Sequence, residues 1–394
     1  MVRLKELALV FLKLGALGFG GPAAHIAMME EEIVARRCWL DREHFLDLLG
    51  ATNLIPGPNS TEMAIHLGYV RAGWGGLTVA GICFILPAIS LTAGFAWAYT
   101  QFGQLPQVAP WLFGIKPAVL AVIVASVWRL GNKACKTWQL GGIGSSVLIV
   151  SLLQVNEVIA LLLGGILGML WLRLPTSITS RYRKTLPVLL GTSLGGLAAR
   201  KTQVLMAVIT GTNGAGIASF SLWQLGLFFL KVGAVLYGSG YVLVAFLEGS
   251  LVHQYGWLSQ RQLLDAIAIG QFTPGPVLST STFIGYLIGG VPGSVVASVA
   301  IFSPSFLFVA LINPWVPHLR RSRWTSAFLD SVNVSAVALM AAVSIKLGQA
   351  TLTSWPAWVI ASAATIIGLR WKINLAWVVV GGGILGWLCS LVNA

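Results

Sequence analysis

Polar positions along this chain are bunched, and the residues between them are not alternating but almost wholly apolar. The short polar joints separate runs of about 15–25 apolar residues, the length that crosses a bilayer as a helix. Two of those runs interrupt themselves in the same way. "NLIPGPNST" (residues 53–61) and "QFTPGPVLS" (271–279) each place Pro-Gly-Pro inside an apolar stretch. A proline removes an amide and a glycine frees φ, so both runs predict helices broken partway.

The interruptions belong to a duplication. "FLKLGALGFGG" (Phe11–Gly21) matches "FLKVGAVLYGS" (Phe229–Ser239) at an offset of 218. The same register pairs Glu30 with Glu248, Trp39 with Trp257, Asp47 with Asp265 and Pro56–Pro58 with Pro274–Pro276. One deletion then joins Gly68 with Gly285 and Pro87 with Pro304. The expected domains are a first repeat over 1–175, a linker over 176–221 and a second repeat over 222–394. Because the segment at the N-terminus recurs in mid-chain, it reads as a retained membrane segment rather than a cleaved signal.

Composition removes the soluble alternative. The chain is 56% hydrophobic and 9% charged, where soluble proteins carry roughly a quarter charged residues. The net charge of +13 does not point to nucleic acid, since the basic residues form short clusters at segment ends without interleaved aromatics. Those clusters orient the chain instead. Arg3, Lys5, Arg71, Arg129, Lys133, Lys136 and the run Arg173–Lys184 mark cytoplasmic joints in the first half. In the second half the equivalent joints exchange character: "IGGVPG" is uncharged, whereas "HLRRSR" and Arg370/Lys372 are basic. The halves are expected to be inverted repeats, so the linker should hold one further span near 185–220, around Arg200–Lys201. The fold class expected is an all-α polytopic membrane protein with two inverted-topology repeats. It should have about 13 transmembrane segments, broken at Gly-rich and PGP motifs, with the N-terminus cytoplasmic and the C-terminus outside.

Matched broken helices in inverted repeats are the mark of a secondary transporter. A helix that restarts at mid-membrane presents free amides and a positive dipole end, which suits an anion. The candidate substrate-binding residues are Asn53, Pro56, Gly57, Pro58, Asn59, Ser60 and Thr61 at the first break. Gln271, Thr273, Pro274, Gly275 and Pro276 are their counterparts at the second. Pro58 and Pro276 suit the first helical position. The alternative is a pair of proline kinks that only shape the bundle. A second matched break joins Gly20, Gly21 and Pro22 (in "GFGGP", from Gly18) with Gly238 and Ser239 (in "LYGSG").

Lys13 and Lys231 precede these Gly-rich breaks and are candidate cations for a dianion, with snorkelling to the interface as the alternative. Glu30 is matched by Glu248 and could either couple protons or pair with a local arginine. Glu62 and His66 stand four apart on one helical face and have no counterpart in the second half. They are the proton-coupling candidates, with His25 a further site residue. The four cysteines and five histidines show no metal-ligand spacing, so no metal or other cofactor is expected.

"GFGGPAAHIAMMEEEIV" (Gly18–Val34), with Trp39, Phe45 and "PGP" at 56–58, resembles the signature of the chromate ion transporter family. The second-half copy resembles that of its long, two-domain members. The resemblance implies an exporter of chromate in the bacterial inner membrane, driven by the membrane potential or a proton gradient. Sulfate is the competing tetrahedral dianion. The motif falls on Gly18, Gly20, Gly21, Pro22, His25, Glu30, Trp39, Pro56, Gly57 and Pro58. The second half carries Gly240 for the motif proline and Leu243 for the histidine, so the first half is expected to dominate. Rival readings are a sulfate or other oxyanion transporter, a channel, and a membrane-embedded enzyme, for which the histidines are too scattered. Lipids are the other expected partner, and a homodimer is compatible with the sequence without being specified by it.

Overall fold

The computed structural model describes residues 2–19, 21–52, 55–103, 105, 108–153, 155–173, 221–237, 240–312, 323–370 and 375–392. Among these residues all regular secondary structure is helical. The first half comprises α1 (Val2–Leu17), α2 (Pro22–Met29) continuing as a π-helical turn (Glu30–Arg36), α3 (Arg42–Thr52) and α4 (Asn59–Phe102). It ends with α5 (Ala109–Ala134), α6 (Trp138–Leu152) and α7 (Glu157–Arg173). The second half follows the same plan. It runs through α8 (Leu222–Val235), a 3₁₀ turn (Gly240–Val242), α9 (Leu243–Leu247), a π-helical turn (Glu248–Gln254) and α10 (Gln260–Phe272). After a 3₁₀ turn (Val277–Ser279) come α11 (Thr280–Ile312), α12 (Arg323–Thr351), α13 (Trp355–Arg370) and α14 (Leu375–Val392).

The longest helix is a hairpin. Ala72 and Gly73 leave helical geometry inside α4, Gly73 at φ 61°. A Cβ on Gly68 would collide with the Gly76 carbonyl, so the limbs before and after the kink pack backbone to backbone. Gly289 and Gly290 repeat the kink in α11, with Gly285 against Gly293. Glycine serves here twice, once for the positive φ and once for the close approach.

Two further hairpins precede the long limb in the first half. Leu4 lies against Gly75 and Gly15 against Phe84, so α1 runs alongside the second limb of α4 and ends near its middle. The chain then turns at Gly18–Gly21 and comes back: Arg37, after the π turn, reaches Glu6 at 2.7 Å. Next α3 descends, turns at Pro56–Pro58 and returns along the first limb of α4 to Arg71, 3.6 Å from Glu6. Trp39 closes this end, with Arg71 at 4.5 Å and Arg37 at 5.4 Å from its ring. Both Gly-rich and PGP motifs are therefore tips of hairpins that reach about halfway along a long apolar helix. The expectation that the N-terminal apolar runs carrying these motifs each cross the membrane differs from this. A tip at half depth lets the basic residues 36, 37 and 42 stay on the same end as the N-terminus.

α4, α5, α11 and α12 are long and apolar enough to cross a membrane. With the shorter apolar helices α6, α7, α8 and α14 they make a multi-pass helical membrane protein. The equivalent helices α5 and α12 run antiparallel. Lys136, beyond the end of α5, pairs with Asp330 near the start of α12 at 2.9 Å. At the opposite end, Pro110 and Ser354 line one cavity. Arg129 also donates to the Gly368 carbonyl, joining the late part of α5 to the end of α13. The span expected near 185–220 lies outside the described residues.

Candidate functional site

The hairpin tips of the two halves meet. The Gly57 amide donates to the Leu236 carbonyl at 2.6 Å, and the Gly275 amide donates to the Gly18 carbonyl at 2.7 Å. Gly57 and Gly275 are equivalent, as are Gly18 and Leu236, so each PGP turn is bonded to the Gly-rich break of the other half. Exchange of this kind is what a two-fold relation between the halves produces.

The local chemistry explains why the turns can meet. Gly57 (φ 145°) and Gly275 (φ 92°) hold backbone geometry that side chains rarely adopt. Pro58 stands at the N-cap of α4 in extended conformation (φ −80°, ψ 104°), and Thr61 and Glu62 donate back to its carbonyl. Pro276 likewise caps the 3₁₀ turn. Both prolines thus sit one residue earlier than the first helical position. Pro22 does occupy it, behind the Gly21 cap at φ 81°. His25 donates from Nε2 to the Gly18 carbonyl at 2.9 Å and meets Phe84 edge-on. It braces the same carbonyl that receives Gly275.

The two crossings differ in chemistry. At the first, a Cβ on Gly57 would run into Glu62 Oε1 and the Ser305 hydroxyl, so both groups converge on the turn. Ser60, Thr61, Glu62, His66 and Ser305 are all buried. Both Glu62 carboxyl oxygens and the Thr61 and Ser305 hydroxyls lack a hydrogen-bond partner. Tyr237, beside Leu236, lies close enough to feel the Glu62 charge. At the second crossing Ala88 takes the place of Ser305 against Gly275. There Ser279 is satisfied by the Thr92 hydroxyl at 3.2 Å, and Thr273 bonds back to Ile269 at 2.7 Å. Buried polar groups in folded proteins are nearly always paired. The cluster at the first break leaves four buried oxygens without a partner, whereas among the described residues of the second crossing only His25 Nδ1 is left so, which makes the first crossing the candidate place for a polar guest.

A family model described as chromate transporter matches residues 5–169 and again residues 223–387. The chain belongs to the chromate transporter family. The two matches begin and end 218 positions apart, the offset of the duplicated motifs. The chain is 33% identical over 372 residues to a probable chromate transport protein of Synechococcus elongatus, covering 94% of this chain and 91% of that one. It is 32% identical over 390 residues to a chromate transport protein of Cupriavidus metallidurans, covering 97% and 92%. An uncharacterized transporter of Bacillus subtilis matches over only 152 residues, 38% of this chain but 84% of its own length, at 29% identity. A single repeat therefore exists as nearly a whole protein. No solved structure matches the chain.

In this chromate transporter family member the expected site residues do not all converge. Pro56 to Pro58, Ser60, Thr61, Glu62 and His66 gather at the first crossing, with Asn59 at its rim. Gly18, Gly21, Pro22 and His25 gather at the second with Pro274, Gly275 and Pro276. Gln271 is partly buried on α10. Gly20, Asn53, Gly238 and Ser239 lie outside the described residues. Lys13 is half exposed and pairs with Glu32 at 3.5 Å, and Lys231 is exposed on α8. Glu30 pairs with Arg42 at 3.0 Å, whereas Glu248 is buried between His253 at 2.7 Å and Lys346 at 3.4 Å.

Two features escaped the sequence reading. Ser305 follows the matched Pro304, and comparison with Ala88 after Pro87 would have exposed the asymmetry. Lys116, before Pro117 in an apolar run, reaches Asp265 of the other half at 3.6 Å, and Tyr99 donates to the same carboxylate at 2.8 Å. Like Lys13, it is a lysine set in an apolar run of the sequence.

Proposed function

We propose that the chain carries chromate out of the cytoplasm across the bacterial inner membrane as a secondary transporter. The observation that carries this reading is the reciprocal bonding of the hairpin tips around an unsatisfied polar cluster, in a member of the chromate transporter family. A tetrahedral dianion needs donors without a surplus of fixed charge. The start of α4, with its aligned amides and the Ser60 and Thr61 hydroxyls, provides them. Lys13 and Lys231, each five residues ahead of a tip residue (Gly18, Leu236), supply positive charge on the approach.

Inverted repeats give this site its two-sided access. The antiparallel packing of α5 and α12 and the exchange of tip bonds support inversion, as do the reversed loop charges. Rocking one half against the other opens the crossing to each side in turn. In this topology the N-terminus is cytoplasmic and the C-terminus outside, with one span in 176–221. A reporter fused at Ala394 should read outside.

Glu62 sets the coupling. A carboxylate and a dianion repel when they share one dry turn, so the anion-loaded site carries a proton on Glu62. Chromate then moves with a net charge of −1, which the inside-negative potential drives outward.

The decisive measurement is labelled chromate flux in everted vesicles, with sulfate as competitor and with pH gradient and potential imposed separately. Saturable, potential-driven accumulation of chromate is expected. Equal flux of sulfate would make the chain a general oxyanion transporter, and non-saturating flux would make it a channel.

A further inference from the structure

We infer that the cavity between α5, α10, α14 and the α12–α13 joint is a second binding site for a free tetrahedral oxyanion, held by Lys116 and Arg261. The cavity has a volume of about 930 Å³ and lies at the end of the molecule where α5 begins and α12 ends. Lys116, Gln260, Arg261, Thr353, Ser354 and Cys389 line it. It is separate from the tip crossings, and none of its lining residues belongs to either break.

Charge balance makes it an anion site. The two cations face one cavity, and among the described residues the carboxylate beside them is Asp265, wholly buried behind Lys116. Asp265 already receives the Tyr99 hydroxyl at 2.8 Å, while the Lys116 ammonium stands 3.6 Å from it, beyond hydrogen-bond length. Lys116 is therefore counterbalanced without being consumed, and its donors remain available toward the cavity. Arg261, exposed on the first turn of α10, adds a charge that acts on both Lys116 and Asp265. The positive charge left over is that of exposed Arg261, at the mouth of a cavity with apolar walls such as Phe113 and Trp355, where an anion arriving from water can meet it. A dianion spanning Lys116 and Arg261 balances that charge, with Thr353 and Ser354 as hydroxyl donors. Because Lys116 and Asp265 come from opposite halves, an anion that draws Lys116 forward also loosens the bond between the halves.

The purpose of such a site, a station on the permeation path, rests on the transport reading; its existence does not. Cys389 provides the test, since it lines the same cavity. In the full chain with Cys38→Ser, Cys83→Ser and Cys135→Ser, purified in detergent, the rate at which an anionic thiosulfonate labels Cys389 is followed against sulfate concentration. Sulfate is used because it does not oxidise thiols. Sulfate should slow labelling by about tenfold, the scale of one charge-assisted contact. Arg261→Ala, on an exposed residue, should raise the sulfate needed by about tenfold for the same reason. Lys116→Ala/Asp265→Asn, which leaves no charge buried alone, should abolish protection. Unaltered labelling in the parent, or full protection in both variants, overturns the site. Protection by an anionic lysophospholipid but not by sulfate overturns it as a free-oxyanion site and assigns the cavity to a lipid headgroup. Chromate flux in vesicles of the parent separates the two readings: flux without protection removes this site alone, and protection without flux removes the transport reading alone.

Discussion

The amide of Gly57 donates to the carbonyl of Leu236 across 2.6 Å, tying the PGP turn of one half to the Gly-rich break of the other. Its equivalent, Gly275 to Gly18, closes the exchange. The broken helices are thus not kinks within separate bundles. They are a contact between the two halves.

Substituting the turn glycine should stop transport without removing the protein from the membrane. Gly57 sits at φ 145°, and a methyl there meets Glu62 and Ser305. The strain of about 1–3 kcal/mol is small beside total stability but falls on the bond between halves. Gly57→Ala should lower chromate flux at least about tenfold while immunoblots show normal amounts. Gly275→Ala, which faces the Ala88 methyl at 2.8 Å, should behave alike.

Glu62→Gln separates the proton from the anion. The amide keeps shape but cannot exchange a proton, so flux should persist and lose its pH dependence. The charge moved per chromate should rise from −1 to −2, read from the potential that halts net flux. Unchanged pH dependence in this variant would remove Glu62 from coupling.

The matched glutamates should respond differently. Glu248 is buried, and Lys346→Ala would leave it His253 as its ion-pair partner among the described residues, costing up to about 3 kcal/mol. Arg42, exposed beside Glu30, should cost less than about 1 kcal/mol on replacement by Ala. Thermal unfolding in detergent should order the two accordingly.

Gly68→Ala should destabilise the α4 hairpin, because its Cβ meets the Gly76 backbone and neither limb can withdraw. A cost of about 1–3 kcal/mol is expected for such overpacking. Gly94→Ala faces open space and should leave the melting temperature unchanged.

Lys13→Ala and Lys231→Ala should raise the chromate concentration for half-maximal flux while leaving the maximal rate near that of the parent. Loss of maximal rate instead would place the lysines at the crossing itself.

Much of this was legible in residue order. The Gly and Pro matches at an offset of 218 revealed the duplication, because those residues are dictated by backbone geometry and tolerate few substitutes. The asymmetry of Glu62 and His66 was visible for the same reason, since no equivalent stood opposite. Hairpin depth was not visible. A half-length apolar helix and a full crossing share one composition, and only the return of Arg37 and Arg71 to Glu6 distinguishes them. The surroundings of the lysines were not visible for a related reason: Lys13 and Lys116 both stand in apolar runs, yet one pairs at a half-exposed flank and the other beside a buried carboxylate.

The amino-acid sequence by itself determined that this chain is a duplicated, helical membrane protein with matched breaks, since hydrophobic run length and turn residues are local properties of the chain. The tertiary structure alone decided which break meets which, and that Glu62, Ser305 and Tyr237 surround one crossing. Contacts between residues two hundred positions apart follow from how helices pack, and packing leaves no periodic trace in either segment.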